Sequence, residues 1–312
     1  MTAGIKDELC MVNLERRCCR AAELSALIRT EGVLHLQGNE HLALHTESEN
    51  AAVARTIIRL SKDVFHRTPD LSVQRMPRLR NHACFCLSFY ENDNLLQMLD
   101  ELELLDGHGR PTEGLPKRLL RKRCCKYAYL RGAFLGCGFL GDMRKNKHLE
   151  FNLASQVLAS ELTEMLKGLG MKAGLVQRRT SWVVYLKSKE SILQLIAAMG
   201  AHASVLRIEN ELIYAEIREE INRLVNCETA NLKKITKAAQ EQIKSIRRID
   251  EEVGLEKLPP SLQDIALLRL RHPDLSLTEL GKCADPPLSK GAVQHRFERI
   301  ARTCERLCGG SS

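Results

Sequence analysis

Two residues invite a chemical reading first, Glu31 and Cys137. Each closes a segment built to one pattern. The first runs Cys18-Cys19-Arg20-Ala21-Ala22-Glu23-Leu24 to Ile28 and Glu31-Gly32. The second, 106 residues on, runs Cys124-Cys125-Lys126-Tyr127-Ala128-Tyr129-Leu130 to Phe134 and Cys137-Gly138. Both read as helices that end at a glycine. Carboxylates at the ends of two adjoining helices would hold a divalent metal over a phosphodiester, because hard cations take oxygen ligands. Here one of the two positions is a thiol, so Mg²⁺ would lose half of its central carboxylate pair. Two-metal strand scission is therefore not expected. Glu31 is expected to be a capping or surface carboxylate, and no catalytic residue, metal or cofactor is expected.

A second constellation lies near the C-terminus. Ser276-Leu277-Thr278-Glu279 has the spacing of a capping box, in which hydroxyl and carboxylate each satisfy an orphan backbone N–H. It opens a short helix, 277–284. Asp285-Pro286-Pro287-Leu288 is a turn, and Ser289 caps a longer basic helix, 290–307. A short helix, a tight turn and a basic helix make a helix-turn-helix pattern, whose second helix enters the DNA major groove. Lys290, Gln294, His295 and Arg296 are placed to read base edges, since Lys and Arg suit guanine and Gln suits adenine. Arg299, Arg302 and the backbone N–H groups at Ser276 and Ser289 suit phosphates. Thr278 and Lys282 complete the expected DNA-contacting set. From 222 to 312 there are 16 Lys/Arg against 12 Asp/Glu.

Further basic stretches occur earlier. Residues 115–141 carry seven Lys/Arg and no acid: Lys117, Arg118, Arg121, Lys122, Arg123, Lys126 and Arg131. Arg75, Arg78 and Arg80 form a second group, and Arg178-Arg179 a third. Of these, Arg118, Arg121, Lys122, Arg123, Arg178 and Arg179 are candidate accessory DNA contacts. The alternative, a solvated helix face and hairpin tips, is slightly favoured.

The elements that position these residues follow from periodicity and duplication. Val33–Leu36 with His41–His45 reads as a hairpin, and 48–65 as a helix with Val53, Ile57, Leu60 and Val64 on one face and Ser48 as N-cap. Strands at 71–76 and 84–89 and a helix at 92–104 complete the first copy. The second copy gives strands near Phe139 and at 149–153, a helix at 155–169, strands at 172–177 and 181–187, and a helix at 189–199. Each copy is αββαββα. Two such units dock because each alone leaves an apolar face open. The expected organisation is therefore α+β: a duplicated domain over 1–210 (repeats about 16–105 and 116–205), a linker or hinge over 211–232, and an all-α helix-turn-helix domain over 233–312.

Composition agrees. Of 312 residues, 44% are hydrophobic and 28% charged, which suits two globular domains. The net charge of +8 favours a polyanionic partner. Aromatic residues are only 4%, which argues against stacking on single strands. No apolar run approaches a membrane span and no secretory signal is visible, so a cytoplasmic, nucleoid-associated location is expected. The 12 cysteines show no C-x-x-C and no paired histidines at zinc spacing, so core packing is expected of them, Cys304 and Cys308 included.

Leu130-Arg131-Gly132-Ala133-Phe134-Leu135-Gly136-Cys137-Gly138 resembles the LAGLIDADG motif of homing endonucleases, and Leu24-Ser25-Ala26-Leu27-Ile28-Arg29-Thr30-Glu31-Gly32 is a weaker version. Small residues such as Ala26 and Gly132 let the paired helices approach closely. The Cys124-Cys125 and Leu130–Leu135 stretches, Gly200-Ala201-His202, Val225-Asn226-Cys227-Glu228-Thr229-Ala230-Asn231, Leu280-Gly281 and Asp285–Lys290 together resemble the WhiA sporulation regulators over nearly the whole chain. Glu31 departs from the family toward the nucleases. The resemblance implies a degenerate, non-cutting LAGLIDADG domain joined to a helix-turn-helix similar to that of sigma factors. It also implies a bacterial transcription factor linked to sporulation, cell division and chromosome segregation. Its partners would be double-stranded DNA and, as a second class, a sigma factor or other transcription protein. Two other readings stay open: a residual metal-dependent endonuclease using Glu31, and a purely protein-binding factor.

Overall fold

The computed structural model describes residues 1–37, 41–76, 82–90, 95–145 and 147–308. The chain divides into two compact units, Met1–Ala215 and Glu216–Ser312.

The first unit holds both copies of the repeat. The first copy comprises α2 (Arg17–Glu31), β1 (Gly32–Gln37), β2 (His41–Ser48), α3 (Ala51–Phe65), β3 (Asp70–Met76), β4 (His82–Tyr90) and α4 (Leu95–Glu101). The second comprises α5 (Arg123–Cys137), β5 (Gly138–Leu140), β6 (Leu149–Leu153), α6 (Gln156–Gly168), β7 (Ala173–Arg178), β8 (Ser181–Leu186) and α7 (Lys189–Met199). The expected αββαββα duplication is present. Each copy forms a four-stranded antiparallel sheet of one topology, β1-β2-β4-β3 and β5-β6-β8-β7. The inner faces, with Leu44, Leu87 and Phe89 in one sheet and Leu149, Phe151 and Val184 in the other, are buried in a single core with α2 and α5.

Three features differ from the sequence reading. A helix precedes the first repeat, α1 (Thr2–Cys10), with Ile5 and Leu9 buried. The cap of α3 is Asn50, whose side chain accepts from the Ala52 N–H at 2.8 Å. Ser48 instead accepts from the Asn50 N–H. The segment 211–232, expected as a linker, is helical throughout, inside α8 (His202–Val253). Its Asn and Thr residues are outnumbered by Glu, Arg, Leu and Ile, which favour or tolerate helix, and no Gly or Pro interrupts it.

The second unit contains the rest of α8, then α9 (Pro260–Arg271), α10 (Leu277–Lys282) and α11 (Lys290–Cys308). Ile246, Ile249, Leu262, Ile265, Leu280, Val293, Phe297, Ile300 and Cys304 make its core. The α11 members fall at helical spacing on one face. Arg269 is buried beside them. Its guanidinium lies over the Phe297 ring, 5.4 Å from the centroid, donates through Nε to Gln242 Oε1 at 3.0 Å and through Nη1 to the Leu275 carbonyl at 2.6 Å. It thereby ties α8, α9 and the approach to α10 together. No helix among the described residues is long and apolar enough to cross a membrane.

Candidate functional site

The two repeats meet along α2 and α5. The register reads from the contacts: Cys19 touches Cys124 and Cys125, Glu23 pairs with Arg131, Ala26 faces Gly132, and Thr30 faces Gly136. The helices therefore run side by side with like ends together. A Cβ on Gly132 would fall inside contact distance of the Glu23 carbonyl oxygen and 2.9 Å from the Ala26 Cβ. A Cβ on Gly136 would collide with Thr30. The small residues are thus required by close approach. In the same interface Arg131 is buried. Its Nε donates to Glu23 Oε2 at 2.9 Å and its Nη1 to the Met199 carbonyl at 2.6 Å, while Nη2 lies 2.8 Å from the same Glu23 oxygen as an ion-pair contact. Arg131, counted among the basic residues of 115–141, belongs to the core and contacts no outside partner.

Both helices end where a nuclease of this architecture would hold metal. Glu31 is half-buried there and lines an open cleft of about 650 Å³ with Thr2, Lys6, Glu47, Glu49 and Gly136. This corrects the sequence reading of Glu31 as a capping or surface carboxylate: it is half-buried in the wall of the cleft. Burial pushes its carboxyl up to about 7, helped by Glu49 and Glu47 and opposed by Lys6. Burial likewise pushes the Cys137 thiol up to about 12, although Lys6 favours the thiolate. Lys6, from α1, donates its ammonium to the Gly136 carbonyl at 3.1 Å and interacts with both Glu31 and Cys137. A cation suits this place, because helix C-termini carry partial negative charge. At the helix ends themselves a thiol, one carboxyl and a resident ammonium replace the carboxylate pair that Mg²⁺ would take, and Glu47 and Glu49 approach the cleft from beside β2. Lys6 escaped the sequence reading because its partners lie in other elements far along the chain.

Among the described strand residues the outer faces of the sheets carry few cations, with Lys187, just beyond β8, over the Tyr185 ring. Antiparallel register places Val33, His45, Ser88 and Asp70 in one row, with His35, Tyr90 and Glu47 on the same face. His45 Nδ1 pairs with Ser88 Oγ at 2.8 Å. In the second sheet Phe139, Glu150 and Tyr185 align. Arg178 makes a two-pronged ion pair with Glu150, both contacts at 2.9 Å. Within the described strands this face carries Glu47, Asp70 and Glu150 against one arginine. Arg179 sits at the β7–β8 turn. Arg118 pairs with Asp100 and Glu103. Arg121, Lys122 and Arg123 lie exposed where α5 begins, about 20 Å along the helix from Cys137. Arg75 is exposed on β3, while Arg78 and Arg80 lie outside the described residues.

The C-terminal constellation is assembled largely as read. Ser276 and Glu279 form the capping box: the Glu279 N–H donates to Ser276 Oγ at 3.3 Å and the Ser276 N–H to Glu279 Oε2 at 2.9 Å. Ser289 caps α11, accepting from the Ala292 N–H at 3.2 Å. At Gly281 a Cβ would strike the Leu288 carbonyl oxygen, which itself accepts no such intrusion in a turn this tight. Opposite the buried Val293–Phe297–Ile300–Cys304 stripe, α11 exposes Lys290, Gln294, His295, Arg299 and Arg302. Thr278, Lys282 and Ser289 are exposed nearby in sequence, whereas Ser276 is half-buried in its cap. Gln294 donates to Glu298 at 3.1 Å. Arg296 corrects the sequence reading: it is half-buried and donates to the Ser261 carbonyl at the start of α9, 3.2 Å away. That bond makes it a brace between helices, turned from the exposed stripe. Cys304 is core, and the Cys308 side chain lies outside the described residues.

These features define a class: a duplicated LAGLIDADG-like domain followed by a helix-turn-helix domain. Family models agree residue by residue. The WhiA N-terminal LAGLIDADG-like domain matches 17–105, the WhiA LAGLIDADG-like domain 126–218, and the WhiA C-terminal HTH domain 221–304. The "Probable cell division protein WhiA" of Desulforamulus reducens is 39% identical over 310 residues, covering 99% of this chain and 96% of its own. Its namesake in Heliobacterium modesticaldum is 39% identical over 300 residues, 96% and 94% of the two chains. The crystal structure of full-length DUF199/WhiA from Thermatoga maritima superposes with a TM-score of 0.59 at 25% identity, covering 98% of both chains. This chain belongs to the WhiA family.

Proposed function

We propose that the chain is a sequence-specific double-stranded DNA-binding transcriptional regulator acting in cell division, with a first domain that does not cut DNA. The observation that carries this reading is the exposed stripe Lys290, Gln294, His295, Arg299 and Arg302 on α11, behind a capped short helix. Gln294 and Lys290 suit base edges, and Arg299 and Arg302 suit the phosphates beside them. The names of the curated relatives support the link to cell division. Roles in sporulation and chromosome segregation, and a cytoplasmic place on the nucleoid, extend the same reading. The resident ammonium of Lys6 and the protonated thiol of Cys137 support loss of nuclease chemistry. The low positive charge of the outer sheet faces favours protein contacts there, with a sigma factor or another transcription protein as the class of partner. Arg121, Lys122, Arg123 and Arg179 remain accessory DNA contacts in this proposal.

The test is binding of the full chain to genomic fragments over a salt series, beside supercoiled plasmid with Mg²⁺ or Mn²⁺. The expected result is selective, salt-sensitive binding with no nicking. Gln294→Ala should lower affinity for the preferred site by about 1–3 kcal/mol and leave non-specific binding unchanged. Equal affinity for all fragments would reject the regulator reading, and metal-dependent nicking would reject the inactive first domain.

A further inference from the structure

The four cysteines of the duplicated pairs are brought together at the end of α2 and α5 opposite the degenerate motif. The Sγ atoms of Cys18, Cys19 and Cys125 all lie within 4.8 Å of one another. Cys124 stands beside them, in contact with Cys19 and Cys125 but outside the mutually close trio. Cys19 and Cys125 are more than nine-tenths buried, at 5% and 1% exposure, and Cys18 and Cys124 are half-buried. No disulfide links any of them. Spacing hid the cluster, because its two halves lie 106 residues apart in adjacent pairs and neither is a C-x-x-C.

We propose that Cys18, Cys19, Cys124 and Cys125 form a binding site for one thiophilic metal ion, with Zn²⁺ the species that fits a four-thiol set. Tetrahedral zinc with bonds of about 2.3 Å needs sulfurs about 3.8 Å apart; the trio stands near that spacing, and the half-buried Cys124 has to turn inward to complete the set. The groups that bear on these thiols are one another and Arg16, whose Nη1 lies 3.8 Å from Cys124 Sγ; among the described residues no His, Asp or Glu joins the close group. Such a set selects soft or borderline ions and rejects Mg²⁺. The surroundings suit the anion that results. Both helices begin here, and neither N-terminus has a side-chain cap. The positive ends of two helices and the guanidinium of Arg16 offset part of the charge of four thiolates around a dication. On binding, each ligand thiol releases its proton to solvent and forms a metal–sulfur bond, with no change of oxidation state. The ion staples the first repeat to the second.

The experiment uses the full chain, reduced and stripped of metal by a chelator, titrated without oxygen with Co²⁺ and then Zn²⁺. One equivalent of Co²⁺ should give thiolate-to-cobalt charge-transfer and tetrahedral ligand-field absorption, and Zn²⁺ should displace it and raise the unfolding temperature. Cys125→Ser should abolish the signal. Cys18→Ser, at a half-buried position where folding is less exposed to the change, should weaken zinc at least about tenfold. Cys84→Ser should leave binding intact. Absence of the charge-transfer band in the reduced chain overturns the proposal. So does a band that survives Cys18→Ser and is lost with Cys84→Ser. A chain that takes up no metal when reduced and forms a disulfide between the two pairs in air also overturns it.

Discussion

Glu31 shows how far a motif residue can drift while keeping its side chain. Its carboxyl, ordinarily near 4.5, is raised to about 7. The groups facing it are Lys6 from α1, Glu47 and Glu49 at the end of β2 and Cys137 from α5. The folded chain therefore keeps a proton that the unfolded chain releases between about pH 4.5 and 7. Stability should fall as pH rises through that window, because the native state binds more protons there. Glu31→Gln should flatten this slope and add about 1–3 kcal/mol at pH 8. Urea unfolding of both proteins at pH 5 and pH 8 measures it, and parallel pH profiles would refute the assignment. The neighbouring pair argues in the opposite sense. Arg131 and Glu23 are buried together, so Arg131→Ala leaves an unpaired buried carboxyl and should cost about 3–5 kcal/mol.

At the scale of elements, the α2–α5 contact is where sequence and structure agree most closely. The repeat, the closing glycines and the small residues all follow from the demand that two helix backbones nearly touch. Gly132→Ala should destabilise the chain by about 2–4 kcal/mol, since the obstructing atom is the Glu23 backbone carbonyl and cannot swing aside. A Gly132→Ala chain with an unchanged denaturant midpoint would show that the helices separate freely. Strand β6 and helix α7 fall where the sequence reading put them, at 149–153 and 189–199, and the structure shows Ser188 capping the helix. Residues 211–223 are rich in helix formers, but the unbroken helix through 222–232 was not legible, because Asn and Thr read locally as loop while the helix is carried by the residues between them. Nor was Lys6, nor the inward turn of Arg296. Each is decided by a partner remote in sequence, the Gly136 carbonyl and the Ser261 carbonyl.

At the scale of the whole molecule, the prediction for Arg296 separates recognition from scaffold. Arg296→Ala should loosen α11 against α9 and lower stability by about 1–2 kcal/mol. Its remaining folded fraction should discriminate DNA sequences as the parent does. A change in base preference at one position, measured by competition between fragments, would return Arg296 to the reading surface. Arg299→Ala and Arg302→Ala should instead weaken binding on every sequence and each reduce the salt slope by about one.

The lysine at the paired helix ends has a consequence for how such a molecule can arise. There is one α1 for two repeats, so one ammonium reaches a place that two half-chains would otherwise share. A symmetric dimer of single repeats would bring two lysines to the same spot, where like charges at short range repel. Only after the halves are joined in one chain can a single, asymmetric cation settle there. A single chain can thus carry at its pseudo-dyad a charge that a symmetric pair would have to double, and the inequality of Glu31 and Cys137 matches it in the two halves.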